Sequence, residues 1–226
     1  MNKKDKVRNI FDSISKRYDF LNHLLSFGID FYWRHKALKL TGIGSGSILL
    51  DVACGTGDFS IAAKKKGVHE IFGADLSKNM LIHFIQKADW ITGRLLQSVA
   101  EELPFKNNSF TNITVAFGVR NFYDIRKGLR EFYRVLKPGG KATILEFQMP
   151  KNFLFRFIYN FYFKNILPVI GKLISKDKEA YTYLPDSVQQ FDKEISLSNI
   201  LEEVGFGRVE SYPLTFGIVQ VVIAQK

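Results

Sequence analysis

A chain of 226 residues, 46% of them apolar, is long enough for one α/β domain with added elements and too apolar to be disordered throughout. Its formal net charge of +10 suggests an acidic partner, but the lysines are scattered, with short runs at Lys3-Lys4 and Lys64-Lys65-Lys66, and no basic stripe supports a nucleic acid over an anionic membrane surface. The single cysteine, Cys54, excludes an internal disulfide and fits a reducing cytosol, and the scattered histidines give no metal-ligand spacing.

The first residues are charged and lack the apolar core of a signal peptide. Val7, Ile10, Phe11 and Ile14 recur at helical spacing, so residues 5–42 read as helical. Asp19, Asn22 and Ser26 interrupt that run, Phe27-Gly28 turns it, and Phe31 to Leu40 resumes it. The glycine-rich break from Thr41 to Gly46 joins this N-terminal lid, residues 1–46, to a core spanning 47–149.

The core opens with a strand, Ile48–Val52, that runs into Asp51-Val52-Ala53-Cys54-Gly55-Thr56-Gly57-Asp58 and then a helix, Phe59–Lys66. Glycines let the backbone bend sharply and let a ligand approach it, and a helix start offers unpaired N–H groups. Asp75 closes the next strand, Glu70–Ala74, near the ~20-residue spacing at which an acid meets a ribose. Ser60 stands where a dinucleotide fingerprint needs its third glycine. Asp51, Asp58 and Asp75 would repel a pyrophosphate; they suit a cationic, phosphate-free ligand such as S-adenosylmethionine.

Alternation then continues. Ser77 caps a helix to Ala88; Arg94–Gln97 and Phe110–Ala116 are strands; Ile125–Leu136 is a helix; Lys137-Pro138-Gly139-Gly140 turns into a strand, Lys141–Phe147. Five strands separated by helices predict a doubly wound, Rossmann-like parallel sheet with its ligand at the carboxyl ends of the strands. Residues 150–190 break the pattern with an aromatic-rich helical insertion. Its most apolar stretch, Phe153 to Ile174, contains Arg156, Asn160, Lys164, Asn165 and Pro168, which excludes a spanning helix and leaves a membrane-surface element, an apolar lid or a cover for the sheet. The last segment, 191–226, holds a helix, Leu197–Val204, and a final antiparallel strand pair, Arg208–Leu214 and Ile218–Ala224. The whole reads as a single domain.

The order of elements resembles a class I S-adenosylmethionine-dependent methyltransferase, with Asp51 to Gly57 similar to its first motif, Ala100-Glu-Glu-Leu-Pro104-Phe105 to the stretch before its fourth strand, and Arg134 to Gly140 to the turn before its fifth. Tyr18-Asp19-Phe-Leu-Asn22, Ser26-Phe-Gly28 and Trp33-Arg34 resemble the N-terminal signature of the UbiE/MenG quinone C-methyltransferases. Phe117-Gly118-Val-Arg120-Asn121 resembles their loop after strand four, and Tyr181-Thr-Tyr-Leu184 with Ser187 their C-terminal insertion. Departures fall at Leu21, Asp30 and Gln148, where many members have methionine, histidine and serine, and at Val99 and Ala116, family cofactor contacts whose side chains here form no hydrogen bonds.

The resemblance implies methylation of a ring carbon of a demethylated isoprenoid quinol, demethylmenaquinol first and a ubiquinol precursor second, with S-adenosylmethionine as cosubstrate and no metal. It implies a cytoplasmic enzyme held peripherally on an anionic membrane and acting on no nucleic acid; homodimerisation stays open. The implied cofactor contacts are Asp51, Gly55, Thr56, Gly57, Asp75 (for the ribose hydroxyls), Leu76, Val99, Ala100 and Ala116. The implied catalytic group is Arg120 for the developing phenolate, Asn121 to hydrogen-bond the quinol oxygen or orient Arg120, Tyr18 to donate to or relay from the second oxygen, and Asp19 as a proton acceptor or lid anchor. His23 and His35 are further relay candidates in the lid.

Overall fold

The computed structural model describes residues 3–166 and 178–226. Pro168 and Lys172, and the side chain of Lys164, lie outside the described residues. Three helices come first: α1 (Lys3–Ile14), α2 (Tyr18–Leu25) and α3 (Ile29–Thr41). The break expected at Asp19 to Ser26 falls earlier, in a single 3-10 turn at Ser15–Arg17, and α2 runs unbroken through Asp19 and Asn22. Gly28, at φ 73°, starts α3 and Gly42, at φ 79°, ends it.

The core follows as β1 (Ile48–Val52), α4 (Asp58–Lys65), β2 (Glu70–Asp75), α5 (Lys78–Lys87), β3 (Leu95–Gln97), β4 (Phe110–Ala116), α6 (Ile125–Val135) and β5 (Leu136–Phe147). The seven-stranded sheet has the order β3-β2-β1-β4-β5-β7-β6. Strands β1 to β5 pair in parallel; β7 (Val219–Gln225) is antiparallel to both β5 and β6 (Arg208–Leu214). The doubly wound α/β sheet and its closing antiparallel pair are therefore as the sequence predicts. One core boundary differs by more than a residue. Lys137 to Gly140 belongs to β5 because Gly139 N–H donates to the Lys226 carbonyl and Lys226 N–H to the Gly140 carbonyl, both at 2.9 Å. Chain-end pairing thus takes up backbone groups that a free turn would leave to water.

Both sheet faces are buried, which accounts for near-continuous apolar strands such as Ile48-Leu49-Leu50. One face packs Leu50, Val115 and Ile144 against α6 and α9 (Leu197–Val204), through Leu129, Phe132 and Leu201. The other packs Leu49, Ile71 and Leu145 against α3, α4 and α5, through Leu38, Phe59 and Phe84. The insertion supplies α7 (Phe153–Phe161) with a following π turn, and α8 (Lys178–Glu194), which carries the Tyr181–Leu184 segment. Tyr159 of α7 and Val188 of α8 pack with Ile10 and Leu21, so the insertion and the N-terminal helices close over the carboxyl end of the sheet together.

Candidate active site

The carboxyl ends of β1 and β4 carry two non-glycine residues with left-handed backbone, Ala53 (φ 50°) and Phe117 (φ 56°). Such strain persists where surrounding structure holds it, commonly at functional sites. Gly57, at φ 86°, starts α4, and a Cβ there would lie inside the buried Phe84 ring. Only glycine fits both the backbone and the space.

Asp51 sits behind the turn. Its Oδ2 accepts from Ser60 N–H (3.2 Å) and Ser60 Oγ (2.7 Å), and its Oδ1 from Thr114 Oγ1 (2.8 Å). Burial pushes its carboxyl up to about 6 against those hydrogen bonds. Asp51 ties β1 to α4 and β4 and does not border the cleft. Asp75 does: its Oδ2 accepts from Gly55 N–H (2.7 Å) and its Oδ1 from Ser77 N–H (2.8 Å). Burial raises it to about 6 as well. A carboxylate has about four lone-pair sites; Gly55, Ser77 and the Leu76 backbone draw on them, and room is left for a ribose hydroxyl. The Cys54 thiol is buried, and burial with Asp75 and Asp51 nearby holds it protonated.

A cleft of about 80 Å³ runs along this end of the sheet, bordered by Gly55, Asp75, Leu76, Val99, Ala100 and Ala116, with Tyr18 and Asn121 at one side. Helix α1 roofs it with Lys4, Val7, Arg8 and Phe11. Ser77 Oγ donating to Asp12 and Lys3 Nζ donating to the Phe122 carbonyl pin that roof. Thr56 and Gly57 stand behind the wall, and Thr56 Oγ1 donates to Asp19. Ser98 Oγ, buried and without a hydrogen-bond partner, belongs to a residue that borders the cleft.

A second cavity, about 490 Å³, opens beside it. Its wall is mostly apolar, including Ile10, Leu21, Trp33, Phe147, Ile158 and Ile218, and its polar side chains include Tyr18, Asp30, Arg34 and Arg120. Phe11, Tyr18 and Phe117 border both compartments. Arg120 Nη1 donates to the Phe117 carbonyl (2.5 Å) and to Glu146 Oε1 (2.6 Å), and its guanidinium lies 5.7 Å from the Phe147 ring centre. Its Nε is buried without a hydrogen-bond partner. Asp124 caps α6 by accepting from Lys127 N–H (2.9 Å), so the acid paired with Arg120 is Glu146. Asn121 Nδ2 donates to the Phe117 carbonyl at 3.4 Å and borders the cleft, not the larger cavity. Burial raises the Tyr18 phenol, against an Asn22 hydrogen bond and the Arg120 and Arg34 charges, which keeps it a donor at neutral pH.

Asp19 lies away from both compartments, held by Thr56 and by Lys87 Nζ (2.7 Å), so it fastens α2 to the glycine turn. His35 borders neither. Three side chains that bear on the cavity carry no sequence assignment. Glu146 is legible only as an acid near the end of strand five, Arg34 only as the neighbour of Trp33, and Asp30 only as a departure. His23, Asp30 and Asp58 bring ligand-type atoms within 4.8 Å of one another. Arg34 and Lys87 already pair with those acids, which opposes a further cation.

Residues 1–226 match the ubiE/COQ5 methyltransferase family. The ubiquinone/menaquinone biosynthesis C-methyltransferase UbiE of Geotalea daltonii is 46% identical over 99% of this chain and 97% of its own length. The demethylmenaquinone methyltransferase of Chlorobaculum tepidum is 43% identical over 99% of this chain and 93% of its own. Among solved structures, a SAM-dependent methyltransferase from Thermotoga maritima superposes with a TM-score of 0.65 at 18% identity, covering 96% of this chain and 99% of that one. One from Aquifex aeolicus gives 0.59 at 19%, covering 85% and 88%. At such identities these two establish the fold alone.

Proposed function

The chain belongs to the ubiE/COQ5 methyltransferase family, and from that premise we propose that it methylates a ring carbon of a demethylated isoprenoid quinol, with demethylmenaquinol as the first acceptor and a ubiquinol precursor as the second. The observation that carries this reading is the pair of compartments meeting at Phe11, Tyr18 and Phe117. One is built for a nucleoside; the other is large, apolar and supplied with guanidinium groups.

The cleft fits S-adenosylmethionine on its donor set. Asp75 keeps acceptor capacity for the ribose, Val99 and Ala116 offer flat apolar contact, and Ser98 has a hydroxyl to satisfy. Gly55 and the backbone of Ala100 border the same space. Asp51, Thr56 and Gly57 act from behind, by fixing the turn. When bound, the cosubstrate supplies an electrophilic methyl group on sulfur. The chemistry needs no metal.

A ring carbon attacks well only when the ring is electron-rich, and loss of a hydroxyl proton enriches it. Arg120 sits on the acceptor cavity with a fixed charge that Glu146 and the Phe117 carbonyl hold in place, so it stabilises the phenolate oxygen. Tyr18, protonated and on the shared wall, donates to the other oxygen. Asn121, through the Phe117 carbonyl, helps shape the loop that bears Arg120.

A polyprenyl acceptor lives in a bilayer, and the exposed apolar side chains of α7 support a docking role there. Phe153 (84% exposed), Leu154, Phe157 and Phe161 of α7 face outward near Phe27 and Phe216, while Ile158 and Tyr162 of the same segment reach the acceptor cavity. No described helix is long and apolar enough to cross a membrane. The face suits peripheral docking on an anionic, cytoplasmic leaflet, with basic residues such as Arg156 beside it. The deciding experiment incubates purified protein with S-adenosylmethionine and a chemically reduced demethylmenaquinone, then measures product mass. A gain of one methyl group with the quinol, and none with the oxidised quinone, is expected; no gain with any quinol overturns the acceptor assignment.

A further inference from the structure

Replacing a ring hydrogen by a methyl group releases one proton at the ring carbon, and the acceptor cavity has few groups able to take it. Among the described residues bordering that cavity the ionisable side chains are Tyr18, Tyr159, Tyr162, Arg34, Arg120 and Asp30. Burial raises all three phenols, so each stays protonated near neutrality. Guanidinium groups do not deprotonate in proteins. Asp30 differs: burial pulls its carboxyl up, but the Ser26 hydroxyl, Arg34 and His23 outweigh it and hold the group below the ordinary carboxylate value. It is the one bordering side chain here held in a proton-accepting form.

Three neighbours also hold the Asp30 carboxyl in place. Its Oδ1 accepts from Ser26 Oγ (2.7 Å), and its Oδ2 lies 2.5 Å from Arg34 Nη1 and 2.9 Å from His23 Nδ1. The Asp30 side chain is 4% exposed and the His23 side chain 26% exposed, so the pair runs from the cavity wall toward solvent. His23 stacks on Phe31 at 4.3 Å, and its Nε2 faces Asp58 Oδ2 at 3.7 Å. Of the cations packed around the pair, Arg34 bonds Asp30 and faces Asp58, and Lys87 bonds Asp58 and Asp19.

We propose that Asp30 is a catalytic residue that takes the ring proton of the methylated intermediate. The inference rests on the quinol acceptor assigned above. The phenolate ring carbon forms a bond to the methyl group as the C–S bond breaks and its electron pair stays with sulfur. That carbon then bears both a hydrogen and a methyl group in a neutral dienone. The C–H bond breaks, its electron pair restores the aromatic ring and its phenolate, and the proton goes to Asp30. A weakly basic carboxylate suffices because rearomatisation drives the step.

The test uses short-tailed demethylmenaquinol carrying hydrogen or deuterium at the ring carbon to be methylated. In the unaltered protein, proton loss is fast and turnover with the two acceptors is nearly equal. In Asp30→Asn, turnover falls by roughly 10²-fold, a primary isotope effect well above unity emerges, and S-adenosylmethionine affinity by calorimetry is unchanged. Asp30→Glu restores part of the turnover. Full turnover in Asp30→Asn, or reduced turnover without a change in the isotope effect, overturns the proposal, the latter because a merely structural role lowers activity without exposing the C–H step. Should Asp30→Asn fail to fold with Arg34 left unpaired, Asp30→Glu decides: lowered turnover with a raised isotope effect supports the proposal, and full turnover or an unchanged isotope effect overturns it. If the unaltered protein methylates no quinol, the acceptor assignment fails and takes this inference with it; if it turns over and the variants match it, this inference fails alone.

Discussion

Asp75→Asn separates a cofactor carboxylate from a mere helix-capping acid, and it does so through pH. Only the ionised carboxyl can accept from the ribose while also accepting from Gly55 and Ser77 N–H. With its carboxyl raised to about 6, roughly one molecule in eleven is ionised at pH 5, so S-adenosylmethionine affinity falls about tenfold between pH 7 and 5, ~1.4 kcal/mol. Below pH 6, binding releases a proton, which calorimetry in two buffers of different ionisation enthalpy detects. Asparagine keeps one acceptor oxygen but aims an amide donor at the Gly55 or Ser77 N–H. The unsatisfied donor and the lost charge together cost about 2–4 kcal/mol, and the pH dependence from 5 to 7 disappears. Folding responds with the opposite sign. The native carboxyls of Asp75 and Asp51 lie near 6, above the ordinary 3.8, so between those values the native state binds more protons than the unfolded one. Stability without ligand therefore rises as pH falls from 7 toward 4, until other groups intervene. Flat wild-type affinity from pH 7 to 5, or an Asp75→Asn protein with the wild-type pH slope, refutes the assignment.

Arg120→Ala is expected to lower turnover by more than ~10²-fold while leaving cofactor affinity within about threefold, since Arg120 borders the acceptor cavity and not the cleft. It also strands the fully buried Glu146, at about 3–5 kcal/mol of stability; adding Glu146→Gln should recover stability and not activity, which chemical denaturation and turnover read separately. Gly57→Ala should destabilise by about 2–5 kcal/mol, because the left-handed backbone and the Phe84 ring both oppose a Cβ. A lowered denaturant midpoint at constant slope is the readout. Phe153→Ser with Phe157→Ser should abolish co-sedimentation with anionic vesicles and leave thermal stability unchanged, since both rings face solvent; retained sedimentation at low salt would remove the docking role from α7.

How much was legible depends on how local each signal is. Strand and helix order follows from short apolar runs, glycine stops and caps such as Ser77, whose Oγ accepts from Met80 N–H at 3.1 Å. Asp75 was legible for the same reason: one strand end fixes it. Asp51 was assigned to the ligand because it adjoins the glycine turn, yet a strand alternates its faces, and Asp51 falls on the side taken by Ser60 and Thr114. Val99 and Ala116 border the cleft without polar atoms, and the unpartnered hydroxyl of Ser98, one residue away, has no sequence signal at all.

The acceptor side was harder because its polar groups are pairs drawn from distant parts of the chain. Arg120 was legible as a cation in a loop, but its orientation is set by Glu146 on the neighbouring strand, joined only through the parallel register of β4 and β5. A lone arginine on an apolar cavity would be costly; a guanidinium already paired on one edge, with a buried Nε on another, is one that an incoming oxyanion can engage without first desolvating it. Arg34 shows the same arrangement with Asp30, its Nε likewise buried and without a hydrogen-bond partner. A single family signature, Trp33-Arg34, thus conceals an ion pair across one helical turn, Asp30 to Arg34, that places a base and a cation on the same wall. A quinol ring needs both, one to hold its oxygen as an anion and one to take its proton, and the large, mostly apolar cavity offers them together.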